Sequence, residues 1–164
     1  MKRTIIGALI LSAVWTAGAV AATPSSNDTD FIQSAQHEAL GEYALAALAR
    51  GKAEDPAAKA LAQQIATNAA SVNDFIRSYA RTHGISLDNK PSLRADEQYG
   101  NIQGDKGAQF DKDYANALHI DLNIASSNYQ DETTGGSDPA LKAFAKKQLA
   151  ILEHFDQAAG HITR

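Results

Sequence analysis

The stretch that decides the fold reads DPAAKALA, at residues 55–62, and a close copy, DPALKAFA, follows at residues 138–145. We call the spacing from position 55 to position 138 the repeat offset. Each copy has the pattern of a helix start. The Asp side chain can cap free backbone N–H groups, and Pro at the first helical position lacks the N–H that would need a partner. Apolar residues follow at helical spacing, and the pattern favours a duplicated helical hairpin over two unrelated helices that begin alike.

Apolar periodicity predicts four helices, at about residues 30–52, 55–83, 108–131 and 139–159. Gly84 is placed to end the second helix in the left-handed conformation, and residues 133–136 are predicted to form a turn. Pro and Gly interrupt the polar residues 85–107, which hold one short helical turn near residues 93–99. A long connection of this kind joins hairpins in ferritin-like bundles. The predicted fold is therefore all-α: a ferritin-like, four-helix, up-down bundle with a long connection between helices two and three.

The N-terminus has the pattern of a secretory signal peptide. Lys2 and Arg3 precede an apolar run at residues 5–14, and a small-x-small cleavage motif ends at Ala21. The run is too short for an ordinary membrane-spanning helix, although an uncleaved anchor is the alternative. The sequence predicts a signal peptide at residues 1–21, with the cut after Ala21 or one residue later.

The remaining chain has the composition of one exported domain. Cleavage leaves 143 of the 164 residues and changes the net charge from −4 to −6, because two cations are lost. We predict a disordered leader at residues 22–29, a single domain at residues 30–164, and a periplasmic or secreted location. An acidic chain with dispersed cations excludes a nucleic-acid partner, and no later segment is apolar enough to span a membrane. The chain has no Cys, so neither a lipoprotein anchor nor a disulfide is available.

Two carboxylates fall on apolar helix stripes. On a helical wheel, Glu42 lies near the middle of the first helix's stripe, with Glu38 at its edge. Asp121 lies on the stripe of the third helix. We interpret Glu42 and Asp121 as members of a buried polar network rather than catalytic acids, because no nucleophile or phosphate loop accompanies them. The predicted partners are Tyr43, Tyr114, Asn73 and Gln148.

A ferritin-type di-metal site is not predicted. Such a site needs a Glu on each of two helices and Glu-x-x-His on each of the other two, and the sequence contains no Glu-x-x-His. His37, His119 and His154 fall away from the apolar stripes. A looser mononuclear metal site that uses Glu42 and Asp121 stays open as an alternative. No cofactor is predicted.

The order and spacing of these residues resemble those of the bacterial exported family catalogued as domain of unknown function 4142. The resemblance covers about residues 31–158 and implies a ferritin-like four-helix bundle with no established reaction. Members commonly carry Asp-His pairs in helices two and three, whereas this chain has Asn68-Ala69 and Asp121-Leu122. The absence of both histidines weakens any metal-linked role. The matching residues are Phe31, Glu42, Pro56, Lys59, Ala60, Ala62, Gln63, Asn73, Gly84, Ile85, Phe110, Asp111, Tyr114, Asp121, Asp138, Pro139, Leu141, Lys142, Phe144, Ala145, Leu149, Leu152 and His154.

The expected function is non-catalytic. We expect an exported helical bundle that acts by binding an unidentified envelope protein or small ligand, or in envelope stress. The stress role rests on family analogy alone. The alternative is a small ferritin-like metal-binding or redox protein that uses Glu42 and Asp121. A partner-binding module would need an exposed apolar patch, for which the outward-facing Ala44, Ala47 and Ala57 are the candidates.

Overall fold

The structure is a computed structural model that describes residues 23–162. This part of the chain is all-α: it holds five helices and no strand. The predicted signal peptide lies outside the described residues. In the described part, no helix has the length and apolar character to cross a membrane. The helices are α1 Ser26–Lys52, α2 Pro56–His83, α3 Leu93–Ile102, α4 Gly107–Gly135 and α5 Pro139–Ile162.

The long helices pair as two hairpins that pack into a helical bundle. α1 packs against α2, and α4 packs against α5. The hairpins meet through α1 with α4 and through α2 with α5, while the short α3 lies on α1 and α4. The core between them is made of buried aliphatic and aromatic side chains, the largest of which include Phe110, Tyr114 and Ile32. Burial of this apolar surface is the main stabilising contribution to the bundle.

Both predicted helix starts are confirmed. Oδ1 of Asp55 accepts from the backbone N–H of Ala57 at 2.7 Å. Oδ1 of Asp138 accepts from the N–H groups of Ala140 and Leu141 at 2.7 and 3.1 Å. α2 ends as predicted, with Gly84 in the left-handed conformation at φ 68°.

The two hairpins hold each other's turns through equivalent carboxylates. Asp28 on α1 accepts from the backbone N–H groups of Ser137 and Asp138 at 2.8 and 3.2 Å. Asp111 on α4, which lies one repeat offset after Asp28, accepts from those of Glu54 and Asp55 at 3.1 and 2.9 Å. The two pairs of donors are related by the same offset. This reciprocal pair of contacts, which we call the turn clasps, supports the interpretation of the chain as a duplicated hairpin.

The predicted boundaries are wrong in two places. The leader at residues 22–29 is too long, because α1 begins at Ser26. The cause is a capping box: the N–H of Asp28 donates to Ser25 Oγ at 3.2 Å, and the N–H of Ser25 donates to Asp28 Oδ2 at 2.7 Å. α4 also runs through most of the predicted turn at residues 133–136 and ends only at Gly135.

The connection between the hairpins is ordered and fastened to α1. Nε2 of Gln36 donates to Oδ1 of Asn89 at 3.1 Å, and the N–H of Asn89 returns a bond to Gln36 Oε1 at 3.3 Å. One helical residue further on, His37 Nε2 lies 2.8 Å from Oδ1 of Asp88. The predicted short turn is a ten-residue helix, α3. The segment fastened by these contacts leads into α3, which packs on α1 and α4.

Candidate functional site

Three carboxyl groups meet beneath α3 and form what we call the acid cluster: Glu38 and Glu42 of α1 and Asp121 of α4. Glu42 is 5% exposed and Asp121 is 8% exposed, while Glu38 is half-buried. All three line one cavity of about 10 Å³, which has room for about one water molecule. The structure therefore brings together the two acids singled out by the sequence and adds Glu38. Asp121 lies one repeat offset after Glu38, so these two occupy equivalent positions in the hairpins.

Among the described residues, α3 supplies the only cation that lines this cavity. Nε of Arg94 donates to Oδ1 of Asp121 at 3.3 Å. With its amide nitrogen turned toward the same carboxylate, Gln98 donates to Oδ2 and Oδ1 at 2.6 and 2.7 Å. Ser92 caps the start of α3 by accepting from the N–H of Ala95 at 3.1 Å. The sequence did not reveal Arg94 and Gln98 as site residues, because it predicted only a short helical turn near residues 93–99 and gave no sign that this turn packs on buried acids.

A glycine lets α3 approach this closely. A Cβ added to Gly41 would lie 2.5 Å from the Cβ of Ala95, well inside van der Waals contact. Any larger side chain at residue 41 must move α3 away from α1. The docked position of α3 therefore depends on Gly41 as well as on Asp121.

Burial raises the pKa values of the acid cluster. The pKa of Glu42 is raised to about 8, first by loss of solvent and then by the neighbouring Glu38 and Asp121 carboxyls. Burial raises the pKa of Glu38 to about 7, against the opposing effects of Asn128, which donates its amide to this carboxyl, and of Arg94. The pKa of Asp121 is also raised by burial, although Arg94 and Gln98 oppose the shift. At neutral pH, Glu42 is therefore mostly protonated.

The other predicted network members are not all beside the acid cluster. Tyr114 is fully buried, its hydroxyl has no hydrogen-bond partner among residues 23–162, and its pKa is raised by burial and by Glu42. Tyr43 is 47% exposed, so its assignment to the buried network is wrong. The residue after Glu42 is rotated by about 100° around the helix axis, which carries Tyr43 out of the core. Asn73 on α2 and Gln148 on α5 each keep a buried side-chain oxygen without a partner in the described residues.

The geometry of the acid cluster leaves little room for chemistry. Ligand and substrate pockets usually enclose about 300–1,000 Å³, far more than the cavity here. Within residues 23–162, no group of three or more His, Asp or Glu side chains is arranged to hold a metal ion. Arg94 already provides the positive charge that a bound cation would otherwise bring to the carboxylates.

A second group of buried acids, the turn cluster, surrounds the α4–α5 turn and contains Asp28, Glu132 and Asp138. Asp138 accepts from the hydroxyl of Tyr79 at 2.9 Å. Glu132 is 3% exposed, and neither carboxyl oxygen has a partner in the described chain when the group is ionised. Burial and the adjacent Asp28 raise the pKa of Glu132 to about 7. Sequence reasoning missed this cluster because it placed Asp28 in the leader and Glu132 beyond the end of its helix.

An apolar groove lies on the outer side of the contact between α1 and α3, and we call it the α1–α3 groove. Tyr43 on α1 and Tyr99 on α3, which are 47% and 36% exposed, line it. Aromatic residues are enriched at protein interfaces relative to the rest of the surface. The other lining residues are Ala44, Ala47, Leu48, Gly51, Lys52 and Asp96.

The fold and the site define an all-α helical bundle whose buried carboxyl groups are covered by a short helix. The chain matches the model of the family described as "Domain of unknown function (DUF4142)" over residues 15–162, and it belongs to that family. Searches of the curated proteins and of the solved structures returned no match.

Proposed function

We propose that this protein is an exported, non-catalytic helical bundle that acts by binding another envelope protein. Its four long helices are proposed to form a ferritin-like up-down bundle, with α3 inserted in the long connection between the two hairpins. In this proposal the acid cluster is a structural element that seats α3, and the working surface lies outside it. The signal-peptide pattern at residues 1–21 supports export.

The occupied acid cluster is the observation that carries the non-catalytic assignment. In a di-metal carboxylate site, inward carboxylates hold the metals and open positions admit the substrate. Here Arg94 and Gln98 both bind the Asp121 carboxylate, and α3 closes a cavity of about 10 Å³. The guanidinium of Arg94 therefore takes the place that a metal ion would fill.

Elemental analysis of the mature protein, purified from its native compartment without chelator or tag, tests this assignment. We expect no stoichiometric metal, and none after incubation with iron, manganese or zinc salts. One or two equivalents of bound metal, lost in Glu42→Gln, would overturn it in favour of a metal-binding or redox protein. Glu153→Gln, an exposed acid on α5, is the matched control.

Export is tested by cell fractionation and N-terminal sequencing. We expect the protein in the periplasmic or secreted fraction, with a mature N-terminus at Ala22 or Thr23. A cytoplasmic protein that retains Met1 would contradict the export proposal and would leave the assignment of the acid cluster unaffected.

The α1–α3 groove is the proposed binding surface, and an amphipathic helix of the partner is its proposed occupant. Small residues at helical spacing on α1, among them Ala44, Ala47 and Gly51, allow a helix to approach closely. Lys52 on one wall and Asp96 on the other offer charges of both signs to the polar edges of such a helix.

Site-specific photo-crosslinking in intact cells tests the groove. A crosslinker at Ala47 is expected to join residues of one partner that recur three or four positions apart, as along a helix face. The matched position is Ala57, which is exposed on α2. Crosslinks to a second copy of this chain, to lipid, or equally from both positions would contradict the proposed occupant.

A further inference from the structure

We propose that α3 is a pH-controlled cover, which docks on the bundle while Glu38 and Glu42 of the acid cluster are protonated and is released as the pH rises through neutral. The inference rests on the proposed function in one respect: the α1–α3 groove, which is the proposed binding surface, is complete only when α3 is docked. The docking itself follows from the contacts of α3 and needs no partner.

The start of α3 separates the acid cluster from solvent. Ser92, Arg94 and Ala95 provide half of the six residues that line the cavity, and the remaining three are the acids themselves. Ala95 seats directly on Gly41, one residue before Glu42 on α1. Lifting α3 therefore admits water to the carboxyl groups that α3 now covers.

The charges around the cavity are unbalanced. α1 contributes Glu38 and Glu42, α4 contributes Asp121, and α3 contributes Arg94. The polar neighbours on α4 are neutral: Asn128 donates its amide to Glu38, while Tyr114 and Tyr129 are phenols whose pKa values are raised. When all three acids ionise, one guanidinium faces three carboxylates in a space that holds about one water.

The direction of the pH effect follows from proton binding. Glu42 and Glu38 have pKa values of about 8 and 7 with α3 docked, against an ordinary value of 4.5 for a solvated Glu. Asp121 is shifted in the same direction. The docked state therefore binds protons more tightly than the released state, and rising pH favours release. Between pH 6 and pH 8 the opening equilibrium is expected to rise on the order of tenfold or more.

α3 is the element that opens most easily. It is ten residues long, with only two buried residues, Ala95 and Ile102. The preceding segment stays fastened when α3 lifts, because Gln36 holds Asn89 independently of the acid cluster. Opening can therefore be local and leave the four long helices in place.

Hydrogen exchange of the full mature chain at pH 6 and pH 8, corrected for intrinsic exchange rates, measures the release. Protection of the α3 amides is expected to fall about tenfold or more, while α2 core amides stay better protected than α3 at both pH values. In Glu38→Gln/Glu42→Gln, whose side chains carry no charge, most of the pH dependence is expected to disappear. Equal falls in both proteins, or none in the wild type, would overturn the proposal.

Gly41→Ala provides an independent test on the geometry of docking. The added Cβ overlaps Ala95, so low α3 protection is expected already at pH 6, with little further change at pH 8. Gly51→Ala is the matched control on the same helix, since a Cβ there meets no atom within 4 Å. Wild-type protection in Gly41→Ala would contradict the assigned docking. Exchange needs no partner, so these results separate this inference from the proposed function, which the crosslinks test.

Discussion

Asp28 in the turn cluster and Glu42 in the acid cluster are both buried acids, yet their pKa values are shifted in opposite directions. Asp28 is fully buried and accepts hydrogen bonds from Ser25, Ser137 and Asp138. Glu42 is 5% exposed and accepts no hydrogen bond from the described residues. Burial alone would raise the pKa of Asp28, but the bonds from Ser137 and Ser25 outweigh it and hold that pKa well below its usual range. The pKa of Glu42, which lacks such donors, is raised to about 8.

The difference shows that the available donors, rather than burial, decide whether a buried carboxyl group is charged. Backbone N–H groups at a helix start and in a turn must find acceptors, and an ionised carboxylate meets several at once. None of the described residues donates a hydrogen bond to the Glu42 carboxyl group, so the neutral acid is the stable form there. In the turn cluster, the ionised Asp28 binds backbone N–H groups. In the acid cluster, Glu42 lies beneath α3 as the neutral acid.

Asp28→Ala is expected to have the largest effect on this comparison. Removal of the carboxylate leaves the Ser137 and Asp138 N–H groups without their acceptor and breaks the capping box. The expected loss in free energy of unfolding is about 3–4 kcal/mol at pH 7, measured by urea denaturation. The equivalent change Asp111→Ala removes bonds from only Glu54 and Asp55, and about 1–2 kcal/mol is expected. Equal losses would show that the two turn clasps are energetically alike.

The pH dependence of stability is the next largest effect, and its sign differs between the two clusters. Glu38, Glu42 and Glu132 have raised pKa values in the folded chain, so their contribution is present below about pH 4.5 and is lost as pH rises through 7 to 8. Asp28 has a lowered pKa, so its contribution is present above its ordinary value of 3.8 and is lost below it. Stability should therefore be greatest near pH 4, where the two windows meet.

Urea denaturation at pH 5 and pH 8.5 measures this dependence. The wild type is expected to lose at least about 2–3 kcal/mol at the higher pH, and Glu42→Gln is expected to lose clearly less. Stability that rises between pH 5 and pH 8.5 would contradict the protonated state assigned to Glu42.

Tyr79→Phe should give the smallest effect. The change removes one buried hydroxyl bond to Asp138, which keeps its two backbone donors at the start of α5. About 1 kcal/mol of unfolding free energy is expected to be lost at pH 7. Tyr43→Phe, at an exposed tyrosine, is the matched control and should change stability by less than about 0.5 kcal/mol. A loss as large as that of Asp28→Ala would mean that the turn cluster acts as one cooperative unit.

The sequence predicted the helix starts and the inward acids because both are local properties. Asp and Pro at a helix start satisfy the same backbone groups in any fold, which is why the starts at Asp55 and Asp138 are confirmed. Periodicity of 3.6 residues identifies the side of a helix that faces inward, and Glu42 and Asp121 are indeed buried. The helical wheel of the first helix wrongly placed Tyr43 on the inward side, because its apolar stripe is broad and the rotation of the helix about its axis is only approximately known from the sequence.

The parts that could not be predicted depend on contacts between distant residues. Nothing local in the polar segment around Arg94 shows that α3 covers carboxyl groups on α1 and α4. The role of Asp28 could not be predicted for the same reason, since it depends on Ser137, 109 residues away. The repeat offset, when applied to Asp28, points to Asp111, and this repeat was the one signal that could have revealed the turn clasps.

In each turn clasp, the turn of one hairpin donates hydrogen bonds to a carboxylate of the other hairpin. A hairpin produced alone leaves its own turn without the acceptor that the other hairpin supplies. Two fragments separated by a cut in residues 85–106 are therefore expected to recognise each other and re-form the bundle, as a split protein does. The same reciprocity lets two intact chains exchange hairpins, so that a domain-swapped dimer would satisfy every clasp with the partner's carboxylate.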